Sequence, residues 1–433
     1  MTEIELDRGF RLYGTDINDF LDAVVSIDKA TRSKTISTDL ISLAAVVDTR
    51  DDAFDIAITS NSKDSLTECA ESIWKSIEAR AARDEITMYC CEPNGKFTLK
   101  ALRISSMRSK NGMTEKLINE LRHGSKMIIV VDGTSCVVSD LAFSTLNNRA
   151  KLGGDAMSKP NVGRVVECAK AFFLHKPQNL QMIIRSNQDA HVIIAAHSEK
   201  YAYVPQTVLL DIYQKISSDF GKPECLFWEV THEISHCYVG FPEIAAEFAA
   251  TYGLPNTITP GLYFSTSDSG DGSLTIRGIW NINNHMVGGE TIKRNHRGTI
   301  DAAEFAEHAW ETIFAKYNSV PIRLAELLTI DVPDPQWTLR SVLKQTDIAK
   351  ASNLGRHASQ ELYQELCNEL DPGAKYTAYD IAMMIASVPD RCVNMHHSVI
   401  EKMQNLVHQA IFADYTKVPK GKAKSEIPAF VLT

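Results

Sequence analysis

The stretch that decides the fold is Leu180-Gln-Met-Ile-Ile-Arg185, followed by Ser186-Asn-Gln-Asp189 and Ala190-His-Val-Ile-Ile-Ala-Ala-His197. Its two outer runs are short and apolar, and a polar group of four residues separates them, which predicts two paired strands. Other short runs rich in β-branched or apolar residues predict strands at 40–47, 126–131 and 274–280. The first three-quarters of the chain is therefore expected to contain much β-sheet.

Helical spacing of apolar residues appears at 114–122, with Thr114 as N-cap, and at 207–218 and 302–317. Beyond Pro333 and Pro335 the helical spacing of apolar residues dominates the sequence. We predict an α+β fold with a small α+β N-terminal domain (1–135), a β-rich central domain (136–330) and a helical C-terminal region (331–433). The last of these ends in a basic tail at 417–424, which we expect to be solvated.

Composition narrows the class of protein. The 433 residues are 44% hydrophobic and 23% charged, which excludes a collagen, a coiled coil and a wholly disordered chain. The net charge of −9 means that any nucleic-acid contact would need a local basic patch. Nine cysteines without a C-x-x-C, no apparent signal peptide and no long apolar run predict a protein of the host cytoplasm with no membrane contact.

One motif indicates a specific chemistry, because His232-Glu233-Ile-Ser-His236 has the H-E-x-x-H spacing. On a helix both imidazoles would share a face and bind one zinc, and Glu233 would act as general base toward a bound water. A zinc-dependent hydrolase is thus one hypothesis. It would need a third ligand from Glu243, Glu247, His285 or His296.

The same segment also alternates like a strand. Residues 226–239 are rich in aromatic and β-branched side chains, which favours a strand over a helix. In one continuous strand His232 and His236 would lie about 13 Å apart, at ~3.3 Å per residue, and could not share a metal. We prefer this interpretation, in which no cofactor is expected.

Basic residues cluster at Lys293-Arg294-Asn-His296-Arg297, a pattern that can bind phosphate groups. Arg185 and Tyr201 could add a guanidinium and a stacking ring, or be ordinary strand and turn residues. Asp268 and Asp271 could hold a hard cation, although acids on a turn are more often solvated.

Three stretches resemble one family. They are 180–201, the glycine-rich Pro260-Gly-Leu-Tyr-Phe-Ser-Thr-Ser-Asp-Ser-Gly-Asp-Gly-Ser-Leu274, and 281–298. Together they make residues 141–299 similar to the phage/plasmid-like proteins, a family of unknown function from phages, plasmids and prophages. Departures from the family pattern occur at Thr266, Asp268, Ile282 and His285.

The resemblance implies a mobile-element origin and hints at DNA metabolism. Our leading hypothesis is a phage accessory protein that binds nucleic acid, possibly single-stranded DNA, in replication, recombination or counter-defence. The alternatives are the zinc hydrolase and a structural protein of the phage particle. Whether the chain forms a homo-oligomer is left open.

Overall fold

The structure is a computed structural model. It describes residues 3–38, 42–48, 85–91, 97–103, 109–125, 127–131, 133–152, 169, 172–173, 175–254, 258–269, 272–297, 300–346, 356–392 and 397–415. Two large sheets and a set of C-terminal helices confirm the α+β class. Asp271 and the basic tail at 417–424 lie outside the described residues.

The larger sheet has eight strands. Its strand order is β2-β8-β9-β7-β6-β3-β4-β5, and every pair is antiparallel except β7 with β9. The predicted pairing of 180–185 with 190–197 is confirmed, because β8 and β9 form a hairpin. The strands are β2 (Thr31–Ser37), β3 (Ser42–Asp48), β4 (Glu85–Cys91), β5 (Phe97–Arg103), β6 (Met127–Val131), β7 (Thr134–Val138), β8 (Asn179–Asn187) and β9 (Ala190–Ser198).

Helices cover both faces of this sheet. Alternation along β6 sends Ile128 to one face and Met127 and Ile129 to the other. Helix α2 (Glu115–His123) packs on the Ile128 face, and helix α3 (Asp140–Arg149) packs on the opposite face. The predicted N-cap of α2 is confirmed, since Thr114 Oγ1 accepts a hydrogen bond from Leu117 N at 3.2 Å.

The smaller sheet has six antiparallel strands in the order β1-β10-β11-β12-β13-β14. Its apolar face packs against three helices, which bring Phe20, Ile212 and Trp310 into one core. The helices are α1 (Ile17–Ala30), α4 (Val208–Phe220) and α6 (Ala302–Phe314). The strands are β1 (Arg11–Gly14), β10 (Glu224–Thr231), β11 (Ser235–Gly240), β12 (Ile258–Thr266), β13 (Leu274–Ile282) and β14 (His285–Arg294).

The remaining helices form a third body against β13 and β14. Trp280 and Val287 from these strands share one buried cluster with Leu324, Leu339 and Val407. The elements are α5 (Pro242–Tyr252), α7 (Ser319–Leu328), α8 (Pro335–Thr346), α9 (Arg356–Asn368), α10 (Ala378–Ala386), α11 (His397–Ile411) and the short paired strands β15 (Asp331–Val332) and β16 (Tyr376–Thr377).

The sheets do not follow the domain limits expected from the sequence. The boundary between 135 and 136 falls inside β7, and the eight-stranded sheet also contains β8 and β9 from the predicted central domain. Conversely, β1 from the N-terminal part pairs with β10 of the six-stranded sheet. Sheet membership depends on pairing between distant segments, which composition along the chain does not reveal.

A capping box starts α10, and it gives a first testable prediction. Asp380 N donates to Thr377 Oγ1 at 3.4 Å, and Thr377 N donates to the Asp380 carboxylate at 2.7 Å. Thr377→Ala should lower the free energy of unfolding by about 1 kcal/mol, measured by urea denaturation. Thr377→Ser keeps the hydroxyl and should retain most of that stability, so equal losses in both variants would contradict the capping role.

Candidate functional site

The His232-Glu233-x-x-His236 motif lies on a hairpin, so both expectations for it need correction. Strand β10 ends at Thr231 and β11 begins at Ser235, with a tight turn between them. Thr231 closes that turn, because its Oγ1 accepts from the backbone N of Glu233 and of Ile234, each at 3.1 Å. The segment is therefore neither a helix nor one continuous strand.

The hairpin separates the two imidazoles. His236 is fully buried on β11, where its Nε2 lies 3.9 Å from Glu229 Oε2, and His232 sits in the turn beside Arg185. The shared helix face that a two-histidine zinc site requires is not formed. Within the described ranges no group of three or more His, Cys, Asp or Glu side chains is placed to hold a metal ion.

A buried ion pair joins the two sheets. Arg185 on β8 and Asp268, just beyond β12, are both fully buried, and Arg185 Nη2 donates to the two carboxylate oxygens at 2.7 and 2.9 Å. Arg185 Nε also donates to Thr31 Oγ1 at 3.1 Å. These contacts use the guanidinium inside the protein, so Arg185 cannot serve as the surface contact that the sequence suggested.

His232 completes the arrangement around Arg185. Arg185 Nη1 donates to the His232 carbonyl oxygen at 2.7 Å and lies 2.8 Å from His232 Nδ1. Because a guanidinium can only donate, Nδ1 must be the acceptor and the ring proton resides on Nε2. Burial, and then the nearby Arg185 charge, lower the pKa of His232 to about 3, so the ring is neutral at pH 7.

Three aromatic rings stack beside this ion pair. The Tyr201 ring lies between His197, at a centroid distance of 3.8 Å, and His296, at 5.1 Å. Burial lowers the pKa of His197 to about 4 and also lowers that of His296. Both imidazoles are therefore uncharged at neutral pH, and the Tyr201 ring, covered on its two faces, is not an open platform for a base.

The stack fixes two chain segments next to each other. Tyr201 Oη donates to the Asp268 carbonyl at 3.3 Å, and Ala202 N donates to the His296 carbonyl at 2.9 Å. Lys200 is thereby held close to the segment that carries Arg294 and Arg297, and all three side chains are exposed.

Of the six residues predicted to bind nucleic acid, the basic ones at the end of β14 remain at the surface. Lys293, Arg294 and Arg297 are exposed, and Lys293 Nζ lies 3.8 Å from Glu401 Oε1 on α11. Arg185 and His296 are buried, and Tyr201 is mostly so. Lys200 joins the exposed set and was missed, although it immediately precedes Tyr201 in the sequence.

A second buried guanidinium lies on the other face of the six-stranded sheet. Arg277 is fully buried over the Tyr263 ring, 4.7 Å from its centroid, and donates to Gln404 Oε1 at 2.9 Å and Asn405 Oδ1 at 3.1 Å. A Cβ on Gly288 would lie 2.3 Å from Asn405 Oδ1, so a side chain there would displace the amide to which Arg277 donates. This contact docks α11 onto β14 beside Lys293.

No helix in the described part of the chain is both long and apolar enough to cross a membrane. No family model, curated protein or solved structure matches this chain. The resemblance to the phage/plasmid-like proteins accordingly stays a prediction.

Proposed function

We propose that the protein binds nucleic acid, preferably single-stranded, through a basic edge formed by Lys200, Lys293, Arg294 and Arg297. The observation that carries the proposal is the bond from Ala202 N to the His296 carbonyl, which places the segment of Lys200 beside the segment of Arg294 and Arg297. All four side chains are exposed. Such a cluster neutralises phosphates and releases counterions even on a protein of net charge −9.

The size of the basic edge favours one strand over a duplex. The Cα atoms of Lys293 and Arg297 are four residues apart along the chain and so no more than about 14 Å from each other. That span covers a few consecutive phosphates of one chain. The stacked rings of His197, Tyr201 and His296 keep the segment around His296 in place, so their role in this proposal is to position that segment.

The biological setting we propose is a phage or mobile-element accessory role in replication, recombination or counter-defence. It rests on the resemblance of residues 141–299 alone. Neither the zinc hydrolase nor the particle protein is supported by an observation in the described residues.

The experiment is a salt titration of binding to a fluorescent single-stranded 20-mer. For the triple variant Lys293→Ala/Arg294→Ala/Arg297→Ala we expect weaker binding and a salt slope, in log K against log salt, that is shallower by about 2. The slope changes because each lost phosphate contact removes one counterion-release event.

The matched control removes the same charge elsewhere, at the exposed Lys222, Lys344 and Lys375. It should keep the parent slope, and a duplex 20-mer should bind the parent protein more weakly than the single strand. Identical binding by the two triple variants, or no binding of the parent at low salt, would overturn the proposal.

A further inference from the structure

Two cysteine sulfurs lie side by side on neighbouring strands of the six-stranded sheet. Cys225 is near the start of β10 and Cys237 is in β11, and their Sγ atoms are 3.7 Å from each other. Both side chains are free thiols. A disulfide has an S–S length of about 2.05 Å, so the two sulfurs need to approach by only about 1.7 Å to be joined.

An irregularity in β10 brings the two cysteines onto one face of the sheet. Cys237 lies opposite Trp228. Two residues further along β11, Val239 lies opposite Cys225. Three steps along β10 thus match two steps along β11, and the extra residue turns Cys225 to the face that Cys237 occupies. Both side chains accordingly pack against the same apolar core.

The two thiols differ in their access to solvent. Cys237 is fully buried, whereas Cys225 is half-buried. Burial, and then the neighbouring Cys225, raise the pKa of the Cys237 thiol, which keeps its proton. A small oxidant in solution can therefore reach Cys225 and not Cys237, and oxidation of a thiol requires such access. Cys237 is then in place to react with the oxidised Cys225.

We propose that hydrogen peroxide converts Cys225 and Cys237 into a reversible disulfide. The Cys225 thiolate attacks one peroxide oxygen, the O–O bond breaks, and the departing hydroxide takes up the proton of the thiol to form water. The Cys237 sulfur then attacks the sulfur of the sulfenic acid on Cys225. The S–O bond breaks, and the hydroxyl leaves as water with the Cys237 proton. Two thiols and one peroxide give one disulfide and two waters, and a dithiol reductant reverses the reaction.

The disulfide would link the two strands behind a turn that contacts the other sheet. The cysteines are 12 residues apart along the chain, and the hairpin turn lies between them. In that turn the His232 carbonyl accepts from Arg185 on β8. Neither cysteine belongs to the basic edge, so this proposal does not depend on nucleic-acid binding.

The test is peroxide treatment of the purified full chain with dimedone added, which traps sulfenic acids. Chymotryptic digestion cuts between the cysteines at Phe227 and Trp228, and mass spectrometry then identifies the peptides. The parent should give two peptides joined through Cys225 and Cys237, which dithiothreitol separates. Cys237→Ser should instead give a dimedone adduct on Cys225, because the sulfenic acid has no thiol to react with. Cys225→Ser should leave the buried Cys237 reduced.

Cys392→Ser is the matched control, since it removes another buried cysteine, 7% exposed, from the helical part of the chain. It should form the same disulfide in the same yield as the parent. If Cys237→Ser does not fold, Cys225→Ser still tests the order of oxidation at a half-buried position. No link between Cys225 and Cys237 in the parent, a link from Cys225 to a different cysteine, or oxidation of Cys237 in Cys225→Ser would each overturn the proposal.

Discussion

Asp268→Asn is expected to lower the free energy of unfolding by about 3–5 kcal/mol, the largest loss we anticipate from a single substitution. The amide keeps the shape of the carboxylate but removes its charge, which leaves the fully buried Arg185 guanidinium without an anion. The pair also joins the eight-stranded sheet to the six-stranded sheet, so the loss should appear in a global unfolding transition. Urea denaturation followed by circular dichroism measures it.

A double variant separates the free-energy cost of an unpaired buried charge from the net contribution of the ion pair to stability. Arg185→Met/Asp268→Leu replaces both members with apolar side chains and should recover much of the lost stability, because neither desolvated charge remains. Asp19→Asn, at an exposed position, should change stability by less than about 0.5 kcal/mol. A loss for Asp268→Asn as small as that for Asp19→Asn would show that the pair does not hold the sheets together.

Local signals predicted the elements well. The hairpin of β8 and β9 and the Thr114 N-cap were predicted from the sequence, since turn residues and caps act through neighbours along the chain. The turn inside 226–239 was missed because Thr231 is also a good strand residue, and only its hydroxyl bonds to the following backbone reveal the turn. Pairing of β1 with β10 has no local signal, as more than two hundred residues separate the partners.

Only part of the candidate site was predicted, because the sequence does not show which polar side chains are buried. Arg185 and Tyr201 were singled out for nucleic-acid binding and His232 for zinc, whereas in the structure Arg185 and Tyr201 both contact Asp268, and His232 contacts Arg185. Asp268 itself was expected to be a solvated turn acid and is fully buried. A carboxylate buried at a contact between distant strands looks the same in sequence as one in water, because only tertiary packing determines its partner.

Lowering the pH from 7 to 5 is expected to destabilise the protein by about 3–4 kcal/mol through His197 and His232 alone. Their pKa values are about 4 and about 3 in the folded protein, against ~6.5 in the unfolded chain. Between pH 6.5 and 4 the unfolded state therefore binds more protons, and the free energy of unfolding falls as the pH falls. Its slope reaches ~1.4 kcal/mol per pH unit for each histidine.

Other titratable groups modify the pH dependence of the free energy of unfolding in known directions. Burial lowers the pKa of His191, His296 and His408, which adds to the loss, whereas the raised pKa values of Asp28 and Glu120 oppose it in the acidic range. His232→Asn provides the specific test, because its Oδ1 can replace Nδ1 as the acceptor from Arg185 but cannot titrate. Urea denaturation at half-unit steps should give this variant a slope that is shallower by about one proton, ~1.4 kcal/mol per pH unit. A slope equal to that of the parent would mean that His232 ionises normally, and that burial and the Arg185 charge do not keep its ring neutral.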